Sequence, residues 1–180
     1  MGAVAVVPPT SFQKLSSEQV QAFTTDQVRA WTPEQIKVIS SADFISQQMS
    51  LTDPVSGAQW GNLSAEQVTA VQPEYFSNMQ LELHYMGAQA LSYLLEFQIQ
   101  NVPPEQLQTL DATTIPGLSA NQLRVMSDTQ VQDGFTLDQM AFFEKHQIEA
   151  MANVLSSNQK TALLARWTAA DLISLGVTFA

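Results

Sequence analysis

Residues 15–40 read LSSEQVQAFTTDQVRAWTPEQIKVIS, and one pattern recurs in them every eight residues. Ser16, Thr24 and Thr32 are each followed three positions on by Gln19, Gln27 and Gln35, and four positions on by Val20, Val28 and Ile36. An apolar residue, Leu15, Phe23 or Trp31, stands just before each hydroxyl. Together these residues mark a helix start. The hydroxyl accepts the N–H of the third helical residue, the Gln there returns the bond, and the apolar pair closes a hydrophobic staple. Pro33 falls on the first helical position, where its missing N–H costs nothing.

The register runs outward in both directions, to Val7, Pro8, Pro9 and Phe12 and to Ile39, Ser40, Asp43 and Phe44. It returns at Leu63-Ser64-Gln67-Val68, Val71-Gln72-Pro73-Phe76, Val102-Pro103-Gln106-Leu107, Leu118-Ser119-Gln122-Leu123, Met126-Ser127-Gln130-Val131, Phe135-Thr136-Gln139-Met140 and Trp167-Thr168-Asp171-Leu172. Leu155, Ser156 and Gln159 fit less well, because Lys160 occupies the staple position. Two turns of isolated helix do not persist in water, so each unit needs neighbours to pack against. Eight is not a multiple of 3.6, so each cap must break the chain and redirect it.

The expected fold is all-α, a superhelical, solenoid-like array of short capped helices packed on one or two longer helices. One repeat domain is expected over 1–180: a short-helix run at 8–49, a long helix at 74–101, repeats at 102–140, a long helix at 137–155 and closing helices at 156–175. The long helices are read from Phe76, Met79, Leu83, Met86, Ala90, Leu94 and Phe97, and from Met140, Phe143, Ile148, Met151 and Leu155, at helical spacing. Loops are expected at 50–62 and 111–117. Trp31 and Trp167, at staple positions, are expected in the core.

Composition limits the function. Hydrophobic residues make up 45 % of the 180 and charged residues 13 %, so Gln, Ser and Thr must supply much of the surface. A net charge of −10 argues against nucleic acid, whose backbone requires clustered Lys and Arg. No basic residue lies between Lys37 and Arg124, whereas Asp43, Asp53, Glu66, Glu74, Glu82, Glu96, Glu105 and Asp111 do. They form either a solvated flank or a docking face for a basic protein partner. The absence of Cys excludes disulfides, a thiol nucleophile and Cys-based zinc sites. MGAVAVVPP is too short an apolar run for a signal peptide, and no segment reads as membrane-spanning.

Catalytic constellations are missing. His84 and His146 are the two histidines, and Glu82 and His84, two apart, sit on different helix faces. There is no HExxH, no phosphate-cradling glycine loop and no Gly-flanked serine elbow. DTQVQDG at 128–134 lacks the alternating oxygen ligands and distal Glu of a calcium loop. No catalytic, cofactor or metal residue is therefore assigned, and no cofactor is expected.

TPEQIKVI and LSSEQVQAF are similar to the opening of the repeats in TAL effectors over eight residues. No base-reading dipeptide or basic stripe follows, so the likeness lies in the way a helix starts. Through Leu15-Ser16-Ser17-Glu18, Leu63-Ser64-Ala65-Glu66 and Val102-Pro103-Pro104-Glu105 the chain also resembles the mesothelin, otoancorin and stereocilin group. Bacterial surface or secreted short-helix proteins look similar as well. The resemblance implies a secreted or cell-surface module for adhesion or ligand binding, without catalysis. The expected function is accordingly a non-enzymatic protein-interaction or adhesion module. Its rival is an α-helical secreted effector or enzyme that pairs Glu82 or Glu96 with His84 or His146. A third reading, a fragment of a longer array, predicts apolar surfaces at both ends.

Overall fold

The computed structural model describes residues 7–16, 19, 22–38, 63–77 and 83–179. Among them every regular element is helical and no strand occurs. The α-helices are α1 (Pro9–Phe12), α2 (Thr25–Arg29), α3 (Pro33–Val38), α4 (Ala65–Thr69), α5 (Pro73–Ser77), α6 (Gly87–Tyr93) and α7 (Glu96–Ile99). They continue with α8 (Pro104–Leu107), α9 (Ala120–Val125), α10 (Asp128–Gly134), α11 (Lys145–Met151), α12 (Ser157–Leu163) and α13 (Ala169–Ser174). Single 3-10 segments lie at Leu83–Met86, Ile115–Gly117 and Gln139–Phe142.

Seven of these α-helices start just after a Ser or Thr. The Ser127 hydroxyl accepts the Gln130 N–H at 3.1 Å, and the Ser127 N–H donates to Gln130 Oε1 at 3.0 Å. Thr32 with Gln35, Ser64 with Gln67, Ser119 with Gln122 and Thr136 with Gln139 make the same pair of bonds. Ser156 and Gln159 close theirs too, despite Lys160, because Leu163 supplies the buried contact one turn further on. Burial follows the eight-residue unit as alternating steps of five and three. Leu94, Ile99, Val102, Leu107, Leu110, Ile115, Leu118, Leu123, Met126 and Val131 are all buried.

That rhythm corrects both long helices. Gly87 has φ +72, a left-handed conformation that no α-helix passes through, and the chain is extended at Leu95 (ψ 157) between α6 and α7. The Leu95 N–H donates to Gln98 Oε1 at 2.8 Å, so Leu95 holds a cap position without a hydroxyl. Phe97, expected on the buried face, is exposed, as is Leu95, while Ile99 is buried. In the expected helix 137–155 the chain is extended at Phe143 and Glu144, and the Glu144 N–H donates to Gln147 Oε1 at 2.9 Å. Staples five and three apart place apolar residues at spacings that also satisfy one continuous helix, so spacing alone could not separate the two. The unit at Ile39, the loop at 50–62 and residues 78–82 lie outside the described residues.

The capping glutamines have a second bond. Gln130 Nε2 donates to the Ile99 and Val102 carbonyls at 2.9 and 2.8 Å. Gln98 reaches Val68 and Val71, Gln122 reaches Leu91 and Leu94, Gln139 reaches Leu107 and Leu110, and Gln147 reaches Ile115 and Leu118. Gln159 reaches Val131 and Phe135, Gln67 reaches Trp31, and Gln35 reaches Val7. The acceptors lie 24–36 residues upstream and, for every Gln but Gln35, in or just past the last turn of an earlier helical segment. Gln35 instead reaches Val7, just before α1, and each of the others fastens its own helix start to a preceding helix end. Shallower glutamines reach forward instead: Gln100, Gln108 and Gln132 donate to the carbonyls of Val125, Asp133 and Val154. Packing follows these bonds, with α8 against α10 and α9 against α11.

The interior leaves little slack. A Cβ at Gly117 would overlap the carbonyl and Cα of Ala88, so the 3-10 segment there packs backbone to backbone on α6. Near the amino terminus Trp31 meets Phe12 and Phe23 edge-on, at centroid distances of 5.6 and 5.2 Å.

Candidate functional site

The acidic residues proposed as a docking face occupy structural positions. Glu66, Glu74, Glu96 and Glu105 are all exposed and lie in the first turns of α4, α5, α7 and α8. Asp26, Glu34, Asp128 and Asp171 do the same in α2, α3, α10 and α13. A carboxylate there opposes the partial positive charge of the unpaired N–H groups, a contribution of about 0.3–1 kcal/mol each. Asp43, Asp53 and Glu82 lie outside the described residues.

Asp111 is itself a cap. Its Oδ1 accepts the N–H groups of Thr113 and Thr114 at 2.8 and 3.0 Å, and its own N–H donates to Thr114 Oγ1 at 2.8 Å. The capping pair is present with its residue types exchanged, in a segment read from sequence as a loop. Partial burial pushes the Asp111 carboxyl up, but the bonds from Thr113 and Thr114 outweigh it and hold the group below the ordinary carboxylate value.

Two open clefts stand out. The first, of about 620 Å³, is lined by Pro33, Glu34 and Lys37 of α3, Glu66 and Thr69 of α4, with Ala70 and the exposed Leu95. It joins two carboxylates, one ammonium and an apolar rim. The second, of about 520 Å³, lies where α7 meets α8 and α9 meets α10. Its polar wall is neutral, made of Ser77, Gln100, Asn101, Ser127, Thr129 and Gln130, and several of these groups already bond within the protein. The Ser77 hydroxyl donates to Asn101 Oδ1 at 3.1 Å, and Asn101 Nδ2 donates to the Phe97 carbonyl at 2.8 Å. With no ionisable side chain on its wall, this cleft offers no general acid or base.

Neither histidine lines either cleft. His84 is half-buried, with its ring 4.0 Å from that of Tyr85, and His146 is exposed in the first turn of α11. Among the described residues no three His, Asp or Glu side chains gather as metal ligands. No described helix is long and apolar enough to cross a membrane.

Sequence reading missed a charged cluster at the carboxyl end. Arg166 donates from Nη1 to the carbonyls of Ala141 and Phe143 at 2.7 and 3.2 Å, and its Nη2 pairs with Glu144 at 3.1 Å. Its guanidinium lies 4.8 Å from the Trp167 ring centroid, and Lys145 Nζ lies 5.3 Å from it. Lys145 also pairs with Asp171 at 3.6 Å. Trp167 is half-buried, and its buried indole N–H has no acceptor among the described residues. Asp171 holds the third helical position of α13, where most of the other helices carry Gln, and a carboxylate cannot donate. Arg166 binds the upstream carbonyls in its place. The signal was present as the one closing unit with Asp where Gln was expected.

No family model, no curated protein and no solved structure matches the chain.

Proposed function

We propose that this chain is a non-enzymatic protein-interaction module, a superhelical stack of short helices that presents its connections and first-turn acids to a partner. The observation that carries the reading is the use of the buried polar groups. Among the described residues the buried polar residues are eight glutamines and Thr114, each bonded to backbone, and no Asp, Glu, Lys, Arg or His is buried with them. Polar groups committed to holding helices together leave recognition to the surface. The stacked reading is supported by the recurring reach of these glutamines to backbone carbonyls 24–36 residues earlier. A secreted or cell-surface setting belongs to the proposal on the resemblance in helix starts alone.

The cleft between α3 and α4 suits a basic side chain with an apolar neighbour, since Glu34 and Glu66 flank it and Leu95 rims it. A Lys- and Arg-rich peptide containing leucines is expected to bind the purified chain in a titration. Binding should weaken with salt and fall at least severalfold in the double variant Glu34→Gln/Glu66→Gln. Turnover of an ester, glycan or peptide panel, lost in His84→Ala or His146→Ala, would replace the binding reading with the enzymatic one.

A further inference from the structure

We propose that the two clefts beside α7 form one binding site, which takes a single extended peptide with a basic, leucine-containing end and an uncharged end. The proposal rests on the interaction reading of the first cleft and adds to it the second cleft and the path between them. Leu95, just before α7, rims the first cleft, and Gln100, just after α7, lines the second. Their separation along the helix is roughly 8 Å, which about two residues of extended chain cover.

The helix between the clefts presents an open ridge. Glu96 and Phe97 are exposed, Phe97 at 47 %, whereas Gln98 and Ile99 are buried. Leu137 and Ile173 are more exposed than Phe97, but neither lies on the short helix that joins the clefts. Glu34 and Glu66 line the first cleft with Lys37, and Glu96 follows directly on Leu95 at its rim. Carboxylates outnumber the ammonium there, so charge complementarity favours a cationic segment.

The second cleft suits a different chemistry. Its wall carries no ionisable side chain, and hydrogen bonds fix its amides in place. Gln100 Nε2 donates to the Val125 carbonyl at 3.0 Å, and Asn101 Nδ2 donates to the Phe97 carbonyl at 2.8 Å. Gln100 Oε1 and the Thr129 hydroxyl remain without a partner among the described residues. The first accepts and the second can donate, which complements the N–H and C=O of a peptide backbone whatever its side chains. Pro103, Pro104 and Val125 supply apolar surface beside them. A neutral oligosaccharide matches this cleft alone and leaves the carboxylates of the first unanswered. One peptide satisfies both, and joining two weak contacts on one chain makes the second intramolecular.

The test titrates the full chain with three blocked synthetic peptides. One is Arg-Lys-Leu-Leu, and the others extend it by Gly-Ser-Asn-Ser at the amino or the carboxyl end. One extended peptide should bind at least about tenfold more tightly than the core peptide. Thr129→Val and Phe97→Ser should each remove most of that gain, with the core peptide's affinity and the melting temperature unchanged. Glu34→Gln/Glu66→Gln should weaken all three peptides. Extensions that add no affinity, or a gain that survives both Thr129→Val and Phe97→Ser, overturn the shared site and leave the interaction reading standing. Maltotetraose binding lost in Thr129→Val, with no gain from either extension, would give the second cleft to a glycan instead. If none of the peptides binds, the interaction reading itself falls and the shared site falls with it.

Discussion

Helix α10 and helix α13 perform the same task by different chemistry. In α10, Gln130 accepts from its own cap and donates to Ile99 and Val102, all with one neutral, buried side chain. In α13 that work is split. Asp171 accepts from Thr168, while Arg166, five residues earlier, donates to Ala141 and Phe143. A neutral amide carries one acceptor and two donors on the same planar group, so it can bridge two helices without burying charge. A carboxylate makes the cap but not the bridge, and a second, charged residue must then complete it at the surface. Gln at the third helical position thus lets one neutral side chain do in α10 what α13 divides between Asp171 and Arg166.

Gln130→Glu breaks the interior half of this comparison most sharply. Glu keeps the cap with one oxygen but turns the other toward two buried carbonyls, and an unpaired buried charge costs roughly 3–5 kcal/mol. Chemical denaturation at neutral pH should show a loss of that order. Burial among carbonyls would raise the introduced carboxyl above its unfolded value. The penalty should therefore be absent below the unfolded value and grow as pH rises toward the folded one. A variant as stable as the parent would mean that the upstream bonds contribute nothing.

Thr32→Ala removes the hydroxyl that accepts the Gln35 N–H at 3.2 Å and should cost about 1 kcal/mol, measured by thermal melting. The upstream bond from Gln35 to Val7 should survive it. At the edge, Arg166→Ala should cost less than about 1 kcal/mol, because its ion pair is solvent-exposed. The loss should appear as faster amide exchange in α13, with α10 unaffected. Adding Asp171→Gln to that variant should restore protection, since an amide at 171 supplies the missing donors. No rescue would break the equivalence drawn between the two helices.

The smallest effect is electrostatic. The Thr168 hydroxyl and backbone N–H, with Lys145 adding to them, hold the Asp171 carboxyl below its ordinary value. A depressed carboxylate stabilises the fold above its unfolded value, and that stabilisation fades as pH falls through the folded one. Protection of the α13 amides, taken relative to intrinsic exchange at each pH, should therefore fall on acidification below the ordinary carboxylate range. Asp171→Asn should flatten that dependence.

Local reading succeeded where a residue's role is settled within four positions. Ser64, Ser119 and Ser127 cap the helices assigned to them, and Val68, Leu123 and Val131 are buried as their staple positions require. It failed over 74–101 and 137–155, where apolar spacing is shared by one long helix and several short ones. Gly87 and the caps Leu95 and Glu144, which have no hydroxyl, were the breaks that spacing concealed. The acidic residues were legible as exposed. Their duty in first turns could be seen only once the helix starts were placed.

The sequence by itself determined that this chain is helical, where most of its short helices begin, and which side of each is buried. Capping and stapling act between residues three to five apart, and a linear chain displays such distances directly. Only the tertiary structure decided what the glutamines hold with their other hand, and that Arg166 takes the place of one of them. Those bonds join groups some thirty residues apart, and their partners are backbone carbonyls, which every residue carries and no sequence distinguishes.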